Sequence, residues 1–131
     1  FDDRPEFCSR ERFPLALELH AGDIAANLAR YPVDDQCFVV IVTHGHKHDE
    51  AALRAVVERP AAYVGMIGSK KKVPIVMEKL RREGIAEERL ARVHAPIGLK
   101  LGGDTPAEIA ISILAEILMV RYGGALAHMK D

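Results

Sequence analysis

The fold class of this chain is indicated by one stretch, CFVVIVT at residues 37–43. The stretch is continuously apolar and rich in β-branched residues, which predicts a strand covered on both faces, as in a parallel sheet. It ends at Gly45, and from Asp49 the apolar residues recur with the period of a helix that ends near Pro60. The sequence therefore predicts a strand followed by a helix, with Asp49 as the helix N-cap.

The same pattern recurs further along the chain. AYVGMI at residues 62–67 predicts a second buried strand, and Gly68 with Ser69 predicts the turn after it. Pro74 cannot donate a backbone hydrogen bond, so regular helix is predicted only from about Val73, after a loop over residues 69–72. Gly84 is the expected end of this helix.

The flanking segments continue the alternation of strands and helices. The sequence predicts a short strand over 15–19, a helix over 23–30, a charged helix over 86–92 and an extended segment over 94–98. This alternation predicts an α/β, Rossmann-like parallel sheet with helices on both faces.

The last helix has the strongest signal in the chain. TPAE at residues 105–108 has the form of a capping box with proline at the first helical position, and Gly123 marks the end. The apolar residues expected on one side of this helix are Ile109, Ile113, Ile117 and Val120.

Composition narrows the function classes. Of the 131 residues 49% are hydrophobic, and 18 basic against 19 acidic residues leave a net charge of −1 without a long block of like charge. This predicts one compact domain and excludes the broad basic face that nucleic-acid binding uses. The longest apolar run, residues 38–42, is far shorter than the roughly 20 residues of a membrane span, and no signal-peptide pattern opens the chain, so a cytoplasmic protein is expected. The two cysteines are too few for a disulfide scaffold and have no metal-type spacing.

The acidic residues at the front of the chain suit a nucleotide-binding fold. Asp2 and Asp3 follow what reads as the end of a strand, where such a fold keeps an acidic residue for the adenosine ribose, and Arg4 is available for a phosphate. The matching glycine-rich turn is expected about 20 residues earlier, before Phe1. Residues 1–131 are therefore interpreted as one Rossmann-like domain that lacks its first strand–helix unit, and NAD(P) binding would require that upstream segment.

Three of the six histidines lie in the loop THGHKHD at residues 43–49, directly after the first buried strand. Histidines two apart on extended chain share a face, so His44 and His46 are the candidates for binding a metal, and an imidazole also serves as acid or base near neutral pH. The alternative is a polar loop whose histidines bond to backbone, and no metal site is assigned. We expect His46 and Asp49 at the strand end and His48 turned to solvent.

A lysine-rich turn follows the second strand. Gly65 and Gly68 precede Ser69 and Lys70 in the sequence GMIGSKKK at residues 65–72. Backbone N–H groups, a helix dipole and ammonium groups would converge here on an anion, although the glycine spacing is not that of a Walker A loop. The alternative is a solvated run of lysines.

Several of these motifs together resemble the C-terminal Rossmann-type domain of the XdhC/CoxI family, the maturation factors of molybdenum hydroxylases such as xanthine dehydrogenase. The resemblance rests on DDR at 2–4 with RFP at 12–14, THGHKHD at 43–49, YVGMIGSKKK at 63–72, and HAPIGL at 94–99 with TPAEIA at 105–110. It implies a factor that binds molybdenum cofactor (molybdopterin), protects it while a cysteine desulfurase installs its sulfido ligand, and passes it to a xanthine dehydrogenase-type apo-enzyme.

The candidate cofactor-binding residues are those of the motifs at the predicted strand ends. They are Asp2, Asp3, Arg4, Thr43, His44, His46, Asp49, Gly65, Gly68, Ser69 and Lys70. No catalytic residue is assigned, which favours a non-catalytic insertion factor over an enzyme.

Two alternatives belong to other classes. A NAD(P)-dependent oxidoreductase or nucleotide-binding domain is favoured by the fold and by Asp2, although the sequence shows no complete proton relay. An assembly domain is favoured by the apolar helix over residues 109–120, which would supply the seam of a homo-oligomer.

Overall fold

The computed structural model describes residues 1–131 and contains three strands and five helices. The strands are β1 Phe38–Ile41, β2 Tyr63–Met66 and β3 Val93–His94, and the helices are α1 Ile24–Arg30, α2 His46–Val56, α3 Lys72–Arg82, α4 Glu87–Leu90 and α5 Pro106–Tyr122. All strands are parallel, in the order β1-β2-β3. The predicted Rossmann-like α/β class is confirmed. None of the five helices is both long and apolar enough to cross a bilayer.

The core lies on one face of the sheet. Ile41 of β1 is paired with Met66 of β2, and both side chains are buried on this face with that of Val64. They pack in one cluster with residues from α1, α2, α3 and α4, among them Leu28, Leu53, Val56, Leu80 and Leu90. Burial of large aliphatic side chains contributes roughly 1.5–3 kcal/mol each, so this face accounts for most of the driving force for folding.

The opposite face of the sheet carries Tyr63 and is covered by α5. The Tyr63 hydroxyl donates to Oε1 of Glu116 at 2.6 Å, across the interface between sheet and helix. Gly65 also points to this face, where an added Cβ would lie 2.5 Å from both Ile97 Cδ1 and the Tyr63 hydroxyl. Helices therefore cover both faces of the sheet, as predicted.

The front of the chain lies beside β1, across a groove. Asp2 forms an isolated parallel bridge with Ala21, and a mainly apolar groove of about 460 Å³ separates Phe1 and Asp2 from β1. The order across the molecule is Ala21, Asp2, groove, β1, β2, β3. This corresponds to the Rossmann strand order 3-2-1-4-5-6 with the groove in the place of strand 1.

Two predictions about local structure are wrong. No strand forms over residues 15–19, where Leu15 and Leu17 are 94% and 97% exposed, so these side chains have nothing to pack against. Asp49 is not the N-cap of α2, because the helix begins at His46 with Gly45 as its N-cap and ends at Val56 rather than near Pro60.

The helix signals based on backbone chemistry are confirmed. α3 begins at Lys72, which places Pro74 in its first turn, where the missing N–H is not needed. Thr105 and Glu108 form the predicted capping box of α5, and Gly123 ends the helix with φ +64°. Ile113 of the predicted apolar side is buried, whereas Val120 is 36% exposed.

Candidate functional site

Side chains from three segments meet where the parallel strands end. Asp3 of the front segment contacts His44, which follows β1, and His46 of the same loop contacts Lys72, which follows β2. Ligands of open α/β sheets bind at the carboxyl ends of the strands, so this edge is the candidate site.

Asp2 and Arg4 bind each other. Arg4 donates from Nε to Oδ1 of Asp2 at 3.0 Å, from Nη2 to Oδ2 at 3.1 Å, and from its backbone N to Oδ1 at 2.9 Å. The side-chain hydrogen bond from Arg4 is the main cause that lowers the pKa of Asp2 to about 2. Both carboxylate oxygens are thus engaged, which leaves this residue poorly placed to accept from a ribose.

Asp3 faces two imidazoles. Its Oδ1 lies 2.8 Å from His44 Nε2 and its Oδ2 lies 3.6 Å from His48 Nε2, while the two rings are 5.2 Å apart. Asp3 forms no ion pair with a lysine or an arginine. The structure therefore groups His44 with His48 and Asp3, and not with His46.

Thr43 and Asp49 hold the histidine loop in shape. Asp49 is buried, and its Oδ1 accepts from the Thr43 backbone N at 2.9 Å and lies 2.7 Å from the Thr43 hydroxyl. Both residues are internally satisfied. Their contact positions the loop between β1 and α2. Asp49 was expected at the strand end, and there it binds Thr43.

His46 and Lys72 border a small crevice between the first turns of α2 and α3. Its volume is about 210 Å³, and Met66, Ile67 and Gly68 also line it. The backbone N–H groups of His46 and Lys47 have no acceptor within the chain, because Gly45 provides no side-chain cap. Free N–H groups at a helix start next to an ammonium group suit an anion.

Two carboxylates also line the crevice, and both are already bound. Asp49 accepts from Thr43, as described, and Glu50 is 2.6 Å from Lys79 Nζ and 2.7 Å from Arg54 Nη2. The hydrogen bonds from Lys79 and Arg54 lower the pKa of Glu50. These partners reduce the repulsion that an incoming anion would meet.

The four candidates from the lysine-rich turn lie in different places. Gly65 is buried in the sheet, and Gly68 lines the crevice, where a Cβ would lie 2.8 Å from Val73 Cγ2. The Ser69 hydroxyl accepts from the Lys72 backbone N at 3.2 Å, and Lys70 is exposed without an ion-pair partner.

Sequence reasoning missed three residues. Lys72 rather than Lys70 faces the crevice, and His48, expected to turn to solvent, is less exposed than His46 and faces Asp3. Because α2 begins at His46, His48 lies one turn after His44. The sequence had predicted that this helix begins at Asp49. Glu116, the only acid among residues 109–120, is buried and could have been found by that isolation.

Several known proteins are similar to this chain in sequence or in fold. A family model described as the XdhC Rossmann domain matches residues 1–117. "Uncharacterized protein YqeB" of Escherichia coli K12 is 41% identical over 88% of this chain and 21% of its own, and "Molybdenum cofactor insertion chaperone PaoD" of the same organism is 26% identical over 78% and 32%. A crystal structure described as a xanthine dehydrogenase from Bacillus halodurans superposes with a TM-score of 0.78 and 28% identity, over 96% of this chain and 35% of that one. The chain thus spans about a third or less of each of these relatives.

Proposed function

The chain belongs to the XdhC Rossmann-domain family, and from this premise we propose that its protein is an accessory factor for a molybdenum hydroxylase. The factor binds molybdenum cofactor, assists its sulfuration and promotes its insertion into a xanthine dehydrogenase-type apo-enzyme. The observation that carries the proposal is that the family match over residues 1–117 spans every candidate site residue. Support also comes from the relative named a molybdenum cofactor insertion chaperone.

The crevice between α2 and α3 would hold the anionic end of the cofactor. A pterin cofactor carries a phosphate or pyrophosphate, which suits the free N–H groups at the start of α2 and the ammonium group of Lys72. Gly68 also lines this crevice, whereas Ser69 and Lys70 lie in the adjoining turn outside its lining. Helix-terminal contacts typically contribute only about 0.3–2 kcal/mol each, so several donors must act together.

The size of the crevice sets a limit on what it holds. Its volume of about 210 Å³ is below the roughly 300–1,000 Å³ of pockets that enclose a whole small molecule. We therefore assign only the charged tail to it. The remainder of the cofactor would extend along the strand ends, past Thr43 and His44.

The groove beside β1 has a separate proposed occupant. It has the position of strand 1 in the Rossmann order, and its lining is mainly apolar, with Cys37, Val39 and Ile41 from one side. We propose that a parallel strand and its glycine turn, from a segment outside this chain, fill the groove. NAD(P) binding would need that segment, since a glycine turn after strand 1 holds the pyrophosphate.

The factor is proposed to be non-catalytic. Asp2, the acid that favoured a nicotinamide enzyme, has both oxygens bound to Arg4, so nothing in the site adds support to that alternative. We expect no NAD(P)H-coupled turnover of xanthine or simple alcohols by the purified protein.

The partners would be the apo-enzyme and a cysteine desulfurase, in the cytoplasm. The exposed apolar residues Ile111, Leu114 and Leu118 of α5 offer a surface for a homo-oligomer.

The test is the activation of a partner enzyme. A full-length factor with Lys72→Glu, produced together with a xanthine dehydrogenase-type apo-enzyme, is expected to leave that enzyme with at least tenfold less molybdenum and xanthine-oxidising activity. Lys100→Glu is the matched control, because it makes the same charge change at an exposed lysine without an ion pair. Full activation by the Lys72→Glu factor, or an equal loss with Lys100→Glu, would contradict the proposal.

A further inference from the structure

The cluster Asp3, His44 and His48 has the ligand set of a metal site. We propose that these three side chains bind a divalent cation of the zinc class, with a coordination position left open. The site goes beyond the cofactor function and does not rest on it, because it uses none of the residues that line the His46–Lys72 crevice.

The geometry already gathers the ligand atoms. One oxygen or nitrogen of each residue lies within 4.8 Å of the others, and each imidazole presents Nε2 to a different oxygen of the Asp3 carboxylate. Tetrahedral zinc with bonds of about 2.0–2.2 Å keeps its ligand atoms about 3.3 Å apart. Side-chain movements of about an ångström therefore close the site, without a change in the backbone.

The carboxylate is free to bind a cation. Arg4, the nearest arginine in sequence, gives its guanidinium to Asp2, and the ion pairs of Asp3 are with His44 and His48. Without a metal, Asp3 makes one hydrogen-bond contact of 2.8 Å with His44 and one longer contact of 3.6 Å with His48. A divalent cation would bind all three groups at once and neutralise the carboxylate.

The segment that carries both histidines is held in place. Thr43, directly before His44, is bound through its backbone N to Asp49, directly after His48. This brace fixes the spacing of His44 and His48 across the start of α2. Restricted ligands lose less entropy when the ion binds, which raises affinity.

The donor set indicates the kind of ion. Two imidazole nitrogens and one carboxylate oxygen suit zinc and similar transition metals, whereas calcium and magnesium prefer oxygen ligands alone. Three protein ligands leave a fourth position, as in zinc sites that bind water or another molecule. All three residues retain exposed surface, so an ion can enter from solvent.

The experiment is a titration of the full-length protein, stripped with a chelator, with zinc chloride and separately with cobalt chloride. Asp3→Asn, His44→Ala and His48→Ala are expected to lower zinc affinity at least tenfold each and to remove the visible bands of one bound cobalt ion. His46→Ala is the matched control, since His46 lies in the same loop but contacts Lys72. It is expected to keep the wild-type affinity and bands.

Thermal unfolding distinguishes a metal ligand from a residue that supports the fold. The metal-free variants are expected to unfold at the same temperature as metal-free wild type, because the three side chains lie at the surface. Asp3→Asn keeps an acceptor for His44 and removes the charge, so a variant that folds normally and loses zinc supports a metal ligand. Wild-type protein that binds zinc no better than the Asp3→Asn variant, or a loss with His46→Ala as large as with His48→Ala, would overturn the proposal.

Discussion

Two of the contacts between a histidine and a carboxylate, His94 with Glu116 and His44 with Asp3, differ in what else the carboxylate binds. Glu116 lies 3.6 Å from His94, has a side chain only 9% exposed, and also accepts from the Tyr63 hydroxyl and the Gly98 backbone N. Asp3 lies 2.8 Å from His44 with a side chain 29% exposed, and its other ion-pair partner is the imidazole of His48. The first pair is closed and supports the fold, whereas the second is open and available to a ligand.

The closed pair is strengthened by its surroundings. The Tyr63 ring stacks on His94 with centroids 4.8 Å apart, and burial, followed by the hydrogen bond to Glu116, raises the pKa of the Tyr63 hydroxyl. The hydroxyl therefore stays protonated and donates to Glu116 at all ordinary pH values. A buried carboxylate with several donors is typical of a structural network.

Removal of Glu116 should have the largest effect on stability. Glu116→Ala leaves the Tyr63 hydroxyl and the Gly98 N–H without an acceptor and opens a cavity under α5. We expect a loss of about 2–4 kcal/mol in the free energy of unfolding, measured by urea denaturation.

The matched change in the open pair is Asp3→Ala. It should alter the free energy of unfolding by no more than about 0.5 kcal/mol, because Asp3 is partly exposed and lies at the edge. An equal loss of stability with the two substitutions would show that Glu116 supports the fold no more than Asp3 does.

A substitution at Gly98 tests how closely the chain beside the closed pair packs against α5. Gly98→Ala should cost about 1–3 kcal/mol, because φ is +96° and the new Cβ would lie 2.5 Å from Ser112 Oγ. Gly102 has the same φ with nothing within 4 Å, so Gly102→Ala measures the backbone cost alone. Equal losses in thermal unfolding would show that close packing of Gly98 against α5 is unimportant.

Asp49 tests the brace beside the open pair. Asp49→Ala removes the acceptor for the Thr43 backbone N and hydroxyl, and we expect a loss of about 1–2 kcal/mol. Asp49→Asn keeps one acceptor and should lose less. An unchanged urea midpoint for Asp49→Ala would mean that the histidine loop does not depend on this contact.

The smallest expected effect is a change in how the stability of the protein depends on pH in the acidic range. The Arg4 partner lowers the pKa of Asp2 from 3.8 to about 2 in the folded protein, so the pair stabilises the fold above pH 3.8 and this contribution is lost as pH falls towards 2. Asp2→Asn should flatten the decline of Tm between pH 4 and pH 2. An identical pH profile in the variant would show that the Asp2–Arg4 pair does not contribute to the stability of the fold.

The fold was predictable where a short stretch of sequence carries a local structural signal. The apolar stretches of β1 and β2, the capping box at Thr105 and the stop at Gly123 are local signals, and each is confirmed. The predicted strand over residues 15–19 failed because its leucines have apolar side chains but no neighbouring strand, which only the tertiary structure decides.

The site was predictable as a region but not as a set of contacts. The carboxyl ends of parallel strands were expected to bring Asp3, His44 and Lys70 to one edge, and the structure brings Asp3 and His44 into contact there. Asp3 contacts His48 rather than His46 because of where α2 begins. Its N-cap, Gly45, has no side chain to cap the helix, so the sequence carries no capping signal for this start. The choice of Lys72 over Lys70 depends in the same way on the start of α3.

We propose that the crevice between α2 and the turn after β2 holds the anionic end of molybdenum cofactor. It is tested by the affinity of the full-length protein for that cofactor, measured for wild type and for Lys72→Glu over a range of salt concentrations. We expect a clearly weaker Kd that is less sensitive to salt, with the fold preserved, because a carboxylate replaces the ammonium group that lines the crevice. An unchanged Kd and an unchanged salt dependence would contradict it.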